Sequence, residues 1–349
     1  MTLDWLNDPV KLADQTIAGQ AVTRQAQLTK PAGSLGMLEN LAIQLSSLQR
    51  SGHPSAEKVQ ITIFAADHGV AAAGVSAFPQ EVTVQMIANF SAGGAAISVL
   101  ARSLNATLEV VDVGTAVEPG ELPGVISQRA GPGTANLQVE DAMSSGQLSV
   151  ALDAGRAAIM RAKERGMELF IGGDMGIGNT TPAAALGCVL LGADPGQLAG
   201  PGTGLDSRGV AHKVTILREA LTRYDDLMKR PLEALRCLGG FEIAALVGAY
   251  ISCAQLGIPV LIDGYITTAA ALVAVRHQSE IRDWLIFSHQ SAEPGHQAML
   301  KALDAMPLLN LGMRLGEGSG AATAVPLLRA ACDLHNNMAT FADAGVAES

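Results

Sequence analysis

The residues best suited to chemistry sit in two glycine-rich stretches. The first, Gly172-Gly-Asp-Met-Gly-Ile-Gly-Asn-Thr-Thr-Pro182, places one carboxylate, Asp174, among glycines. It follows a short apolar run, 167–171, and leads into an alanine-rich segment, 183–191, that reads as a helix. Bare amides in such a turn, at a helix N-terminus carrying partial positive charge, suit a phosphate or another anion. A carboxylate beside an anion is repelled unless it faces another part of the ligand, so the pattern suggests a ligand anionic at one end and cationic or polar in its middle. The same glycines also suit a tight turn over a sheet with no ligand. The second stretch, Gly316-Glu-Gly-Ser-Gly320, has the same character and carries Glu317.

These stretches need elements to hold them. Segments 14–27 and 35–48 read as helices separated by Lys30-Pro-Ala-Gly-Ser34. Residues 59–64 form the first convincing strand, followed by helical segments 82–89 and 95–104 and a second strand at 108–113, which together imply a right-handed βαβ unit. A helix over 148–166, a strand over 168–171, a helix over 206–223 and strands at 260–263 and 284–288 continue the alternation. Residues 308–313 are expected to form a sixth strand. The fold class is α/β, a parallel sheet flanked by helices.

In open parallel sheets ligands bind beyond the carboxyl ends of the strands. The residues just past each strand here are consistently polar: Asp67 with His68, Gly114-Thr115, Asp174, Asp263-Gly264, Ser288-His-Gln-Ser291 with Glu293 and His296, then Arg314 and Glu317. No Gly-x-x-x-x-Gly-Lys-Ser/Thr is present, which argues against a P-loop NTPase, and neither Gly176-Ile-Gly178 nor Gly202-Thr-Gly204 continues into a dinucleotide fingerprint. Asp67, His68, Asp263, His289 and His296 include metal-ligand types but lack local ligand spacing. For His68 and His289 the expectation is an imidazole hydrogen-bonded among loop backbones.

At 349 residues, with 48% hydrophobic side chains, the chain can bury one large core or two domains. The net charge of -10 argues against nucleic acid and anionic membranes. Cys188, Cys237, Cys253 and Cys332 show no Cys-x-x-Cys pairing and are expected to be free thiols in a reducing cytoplasm. The N-terminal residues lack a basic and apolar leader, and the apolar run 243–254 falls short of the roughly 20 residues a membrane span requires. It is expected to be a buried helix.

Several motifs in order carry a resemblance: Thr29-Lys-Pro-Ala-Gly-Ser-Leu-Gly36, Ala65-Ala-Asp-His-Gly-Val70, Gly172 to Thr181, Gly202-Thr-Gly204, Asp263-Gly264, Ser288-His-Gln-Ser291 and Leu315-Gly-Glu-Gly-Ser-Gly320. Together, from about residue 20 to 330, the chain resembles the nicotinate-nucleotide:dimethylbenzimidazole phosphoribosyltransferases, the CobT family of cobalamin assembly. The resemblance implies transfer of phosphoribose from nicotinate mononucleotide to 5,6-dimethylbenzimidazole, giving α-ribazole 5′-phosphate and nicotinate, with no cofactor and no metal. It implies a homodimer whose large Rossmann-like domain spans 55–300. A small helical domain is built from residues 1–50 and the segment from about 300 to 349, with the Glu317 loop at the junction.

By position in Leu-Gly-Glu-Gly-Ser-Gly, Glu317 resembles the family's catalytic base. Asp174 stands where the family usually has Glu, so its role at the ribosyl centre is the least constrained. Lys213, on the helix after Gly202-Thr203-Gly204, matches a phosphate-binding position. Phe78, Pro79, Gln85 and Met86 are expected to line the pocket for the flat acceptor base. Gly176, Gly178, Asn179, Thr180, Gly202, Thr203, Gly204, Ser291, Met175 and Leu315 are expected to bind substrate. Two alternatives stay open from the residues: a metal-dependent hydrolase, and a non-catalytic nucleotide-binding subunit.

Overall fold

Alternating strands and helices produce a three-layer α/β/α arrangement in the computed structural model, which describes residues 3–224 and 227–347. In chain order the elements are α1 (Gln15–Gln27), α2 (Met37–Gln49), β1 (Val59–Ala66), α3 (Glu81–Ala92), α4 (Ala96–Ser103), β2 (Thr107–Gly114) and β3 (Val125–Ser127). There follow α5 (Ser145–Glu164), β4 (Leu169–Met175), α6 (Thr180–Leu191), α7 (Pro195–Leu198), α8 (Ser207–Leu221), α9 (Pro231–Leu238) and α10 (Phe241–Leu256). The chain ends with β5 (Val260–Ile262), α11 (Tyr265–His277), β6 (Leu285–Phe287), α12 (His296–Ala302), α13 (Ser319–Asn337) and α14 (Phe341–Ala344). The strands form one parallel sheet in the order β3-β2-β1-β4-β5-β6, the doubly wound order of dinucleotide-binding folds.

Strand parity divides the core. Phe64, Val111, Phe170, Val260 and Phe287 face one side, packed with α5, α6, α10 and α11, while Ile63, Val110, Ile171, Leu261 and Ile286 face the other, packed with α2, α4 and α13. Because both faces are covered, β1, β5 and β6 are buried at every residue, the polar Gln60 and Thr62 of β1 included. Asp14 caps α1 by accepting from the amides of Thr16 and Ile17 at 3.0 and 3.1 Å. Arg24 of α1 donates to the carbonyls of His335, Asn336 and Met338, tying the N-terminal helix to the end of α13.

Two expectations need correction. Residues 308–313 are not a strand: Leu309 makes one isolated bridge with His289, Leu311 is exposed, and Gly312 at φ +69 turns the chain away. The sixth strand is instead β3, three residues at the edge beside β2, too short to register as a hydrophobic run. Gly172 and Gly173 lie within β4 rather than in the turn. They are glycines because their faces are already occupied: a Cβ at Gly172 would strike Leu246, and one at Gly173 would sit 2.5 Å from the Glu317 carbonyl oxygen.

The predicted helix over 243–254 lies within α10, buried along that length. Another stretch, Glu81–Ser103, is long and apolar enough by itself to cross a membrane, with 23 residues and a mean hydropathy of 1.4. Gly93, at φ +81, divides it into α3 and α4, and Ile87, Phe90 and Ile97 are packed into the core beside the sheet.

The contact between α5 and α10 is the tightest test of the packing. Gly155 lets the carbonyl of Ala245 approach so closely that no side chain fits, and Gly248 does the same for Leu152. Gly155→Ala is therefore expected to destabilise the fold by about 1–3 kcal/mol or more, since the obstacle is helix backbone that cannot rotate aside. Chemical denaturation followed by circular dichroism checks this; an unchanged midpoint would mean the helices can separate without loss.

Candidate active site

The carboxyl ends of β4, β5 and β6 open on a cavity of about 290 Å³. From β4 and its turn come Asp174, Asn179 and Thr180; from the segment after β5, Gly264, Tyr265 and Ile266; from the segment after β6, His289, Ser291 and Glu293. Arg314, Leu315 and Gly316, the loop residues Gly202 and Thr203, and Phe78 complete the wall. Phe78 and Leu315 are half exposed, 52% and 58%, an arrangement that suits closing on a flat ring.

Asp174 and Glu317 flank the end of β4 from opposite sides. In β4 successive side chains point to opposite faces, so Asp174 faces the cavity while Gly173 and Met175 face the layer of α3, α4 and α13. The loop before α13 wraps round this strand end: Gly316 lies against the Asp174 carboxylate, and Glu317 lies over Gly173. Asp174 Oδ2 accepts from Asn179 Nδ2 at 2.9 Å. Burial, with Asp263 nearby, holds the Asp174 carboxyl well above the usual carboxylate range. A cationic group entering the cavity would restore its ionised form.

Glu317 occupies an expensive conformation. Gly316, Glu317 and Gly318 run at φ +86, +63 and +84, and only the middle residue carries a Cβ, which costs roughly 1–2 kcal/mol in the left-handed region. The side chain is buried, and its Oε2 has no hydrogen-bond partner. Burial pushes its carboxyl up to about 7, the Ile97 amide opposing and Asp263 adding to the rise. Asp263, just beyond β5, fixes the loop by accepting from the Gly318 amide at 3.2 Å and the Ala321 amide at 2.8 Å, which also caps α13. Glu317 thus has the features of a base poised near neutrality, a raised pKa and an unsatisfied oxygen.

Lys213 is fully buried behind the part of the cavity wall formed by Thr180 and Gly202. Its Nζ donates to Thr180 Oγ1 at 3.0 Å and to the Gly200 carbonyl at 3.1 Å. Burial pulls its pKa down to about 8, with Glu293 opposing the fall. The loop it supports is braced from three directions: Glu293 Oε1 accepts from the Gly202 amide at 3.0 Å, Arg314 donates to the Gly202 carbonyl at 2.9 Å, and Ser76 and Thr203 hydroxyls pair at 3.0 Å.

A family model described as phosphoribosyltransferase matches residues 10–346. The chain belongs to that family. Among its relatives, the nicotinate-nucleotide–dimethylbenzimidazole phosphoribosyltransferase of Pseudomonas putida strain GB-1 is 60% identical over 348 residues, covering 100% of this chain and 99% of the relative. The protein of the same name from Xanthomonas oryzae pv. oryzae is 57% identical over 349 residues, covering 100% of both chains. A crystal structure of CobT from Thermus thermophilus superposes with a TM-score of 0.92 at 45% identity, covering 96% of this chain and all of the other.

Within this phosphoribosyltransferase, the residues singled out in sequence separate into groups. Asp174, Asn179, Thr180, Gly202, Thr203, Ser291, Phe78 and Leu315 all border the cavity. Gly176 and Gly178 do not. They are buried turn residues, with Gly176 against the Ala66 carbonyl and His68, and Gly178 against Ala71 and Val75. The turn's amides are also largely engaged, Ile177 to Thr83 Oγ1 at 3.1 Å, Asn179 to Gly176 O at 3.1 Å and Thr181 to Gly178 O at 3.0 Å. This stretch therefore faces the cavity with side chains more than with bare amides.

Glu317, Met86 and Met175 lie off the cavity wall, Met86 and Met175 half-buried against the core of the α3, α4 and α13 layer. Pro79 and Gln85 are exposed at the start and on the outer side of α3, and Gly204 is exposed beside the Gly202 loop. His68 differs from expectation: it is fully buried, and its Nε2 meets Glu242 Oε1 of α10 at 2.9 Å. Burial alone would lower its pKa, but Glu242 raises it, and the two form a buried pair beneath the turn at Gly176. His289 Nε2 lies 3.7 Å from Asp263 Oδ1, and burial beside His289 pulls His296 down to about 3, so that its neutral Nδ1 accepts from the Ser291 amide at 2.8 Å. Tyr265 and Ile266 were not singled out in sequence, although they directly follow Asp263-Gly264, where the strand-end rule points.

Proposed function

We propose that the protein transfers the phosphoribosyl group of nicotinate mononucleotide to 5,6-dimethylbenzimidazole, giving α-ribazole 5′-phosphate and nicotinate, in assembly of the lower ligand of cobalamin. The observation that carries this reading is the placement of two buried carboxylates, Asp174 and Glu317, on opposite sides of one strand end. The names of the relatives favour it over a metal-dependent hydrolase or a non-catalytic nucleotide-binding subunit.

The donor occupies the cavity, its phosphate toward Lys213 and Gly202 and its ribosyl carbon beside Asp174. The acceptor base lies at the cavity mouth between Phe78 and Leu315, beside the loop that carries Glu317. The unprotonated ring nitrogen of the acceptor attacks C1′ while the C1′–pyridinium bond breaks, and the bonding pair returns to the departing ring. The leaving group is neutral at nitrogen, so it needs neither a general acid nor a Lewis acid. Positive charge developing on the ribose is stabilised by Asp174. After attack the other N–H of the benzimidazole is acidic, and Glu317 takes that proton. Attack from the side opposite the departing ring turns a β linkage into an α one.

The family resemblance supports a homodimer with a small helical lobe contributed by residues 1–50 and the C-terminal 300–349. Four buried cysteines, all with free thiols, support a cytoplasmic setting. The assay is direct: purified protein treated with EDTA, then supplied with nicotinate mononucleotide and 5,6-dimethylbenzimidazole. Nicotinate and α-ribazole 5′-phosphate are expected in equal amounts, resolved by chromatography and proton NMR. No nicotinate release, or release only on adding a divalent ion, would overturn the reading.

A further inference from the structure

The loop between α7 and α8 holds an anion of the protein's own. Glu293, 5% exposed, accepts from the Gly202 amide through Oε1 at 3.0 Å, while its buried Oε2 has no hydrogen-bond partner and packs against Gly200, where any side chain would collide with it. Beneath the same loop Lys213 donates to two neutral oxygens, so that among the described residues its charge has no ion-pair partner and one of its three donors is left over. An amide and an ammonium at one edge of a cavity form an anion subsite, and here the amide is taken by a carboxylate. The charged and titratable groups around that carboxylate are Lys213 of α8, Arg314 of the loop before α13 and Tyr265 of α11.

We propose that Glu293 is a resident anion that the donor's phosphate displaces, and that its competition for the Gly202 amide limits how tightly the phosphate is held. This rests on the phosphoribosyl-transfer reading. A phosphomonoester near neutral pH carries close to two negative charges, which Lys213 and Arg314 balance. Adding the charge of Glu293 leaves the site one negative charge in excess, so the side chain turns away from Gly202 or takes a proton from solvent when phosphate binds. In the free protein it keeps the loop braced.

The consequence runs against the usual effect of altering a polar residue at a binding site. Glu293→Gln leaves only a neutral, weaker acceptor to compete for the Gly202 amide and removes the repulsion, so it tightens phosphate binding. The test is isothermal titration of wild type and Glu293→Gln with nicotinate mononucleotide and, separately, with inorganic phosphate, without acceptor. The titration is run at pH 6.5, below the value of about 8 that Lys213 has in the wild type; Glu293 opposes the fall of that value, so its loss lowers it further in the variant and works against the tighter binding expected. The variant is expected to bind both probes about tenfold more tightly, the scale of one like charge removed from a partly buried site. Unchanged or weaker phosphate binding by the variant overturns the proposal. Tighter phosphate binding with no binding of nicotinate mononucleotide by either protein keeps the proposal and overturns the functional reading instead. Independently of the variant, a crystal structure of the wild type with nicotinate mononucleotide should show the Gly202 amide on a phosphate oxygen and Glu293 turned aside; Glu293 still on Gly202 would contradict it.

Discussion

Glu317→Gln is expected to lower turnover by about 10²- to 10⁴-fold, the range associated with loss of a general base, while nicotinate mononucleotide binds as before. The split follows from position: Glu317 lies off the wall of the donor cavity, on the opposite side of β4 from Asp174. The substitution keeps the size of the side chain and the left-handed backbone at this residue, and removes only the ability to accept a proton. Equilibrium binding of the donor separates the two effects, and near-normal turnover in the variant would remove Glu317 from its role.

Asp174→Asn is expected to lower turnover by about 10²- to 10³-fold and leave the Michaelis constant for nicotinate mononucleotide nearly unchanged, because an interaction with charge that develops on the ribosyl carbon strengthens only in the transition state. If the carboxylate held a ribose hydroxyl instead, both states would benefit alike, and the Michaelis constant would rise with turnover intact. Steady-state kinetics showing that second pattern would overturn the assignment. Asp174→Glu, which restores the residue usual in the family, is expected to bring no gain. The Asp174 carboxylate already abuts Gly316 and is held by Asn179 at 2.9 Å, so an added methylene must drive into that loop or break that bond.

Much of this site was legible before any coordinates. Strand ends in a parallel sheet converge on one edge, and Asp174, Ser291, Glu293 and Arg314 were marked by that rule alone. What stayed hidden depends on parity and on distant partners. Which face Asp174 takes is set by the number of residues between Phe170 and the strand end, and the glycines at 172 and 173 suggested a turn where the strand in fact continues. Their real cause, the approach of Leu246 and of the Glu317 backbone, lies 74 and 144 residues away along the chain. The partner of His68 is Glu242, separated by 174 residues, and no local spacing announces it. The edge strand at Val125–Ser127 is three residues long and follows a glycine, so its sequence carries no period at all. By contrast 308–313 has strand-like composition but lies past the last covered edge of the sheet, with Leu311 in solvent.

The central claim is that a buried carboxylate poised near neutrality accepts the acceptor's proton. The pH dependence of kcat/KM for nicotinate mononucleotide at saturating acceptor, measured for wild type and Glu317→Gln, tests it most directly. A base acts in its ionised form, so wild-type activity should rise with pH through about 7, the value to which burial pushes Glu317. In the variant that rise should vanish along with most of the rate. A rise at the same pH persisting in Glu317→Gln would assign it to another group, and would contradict the account.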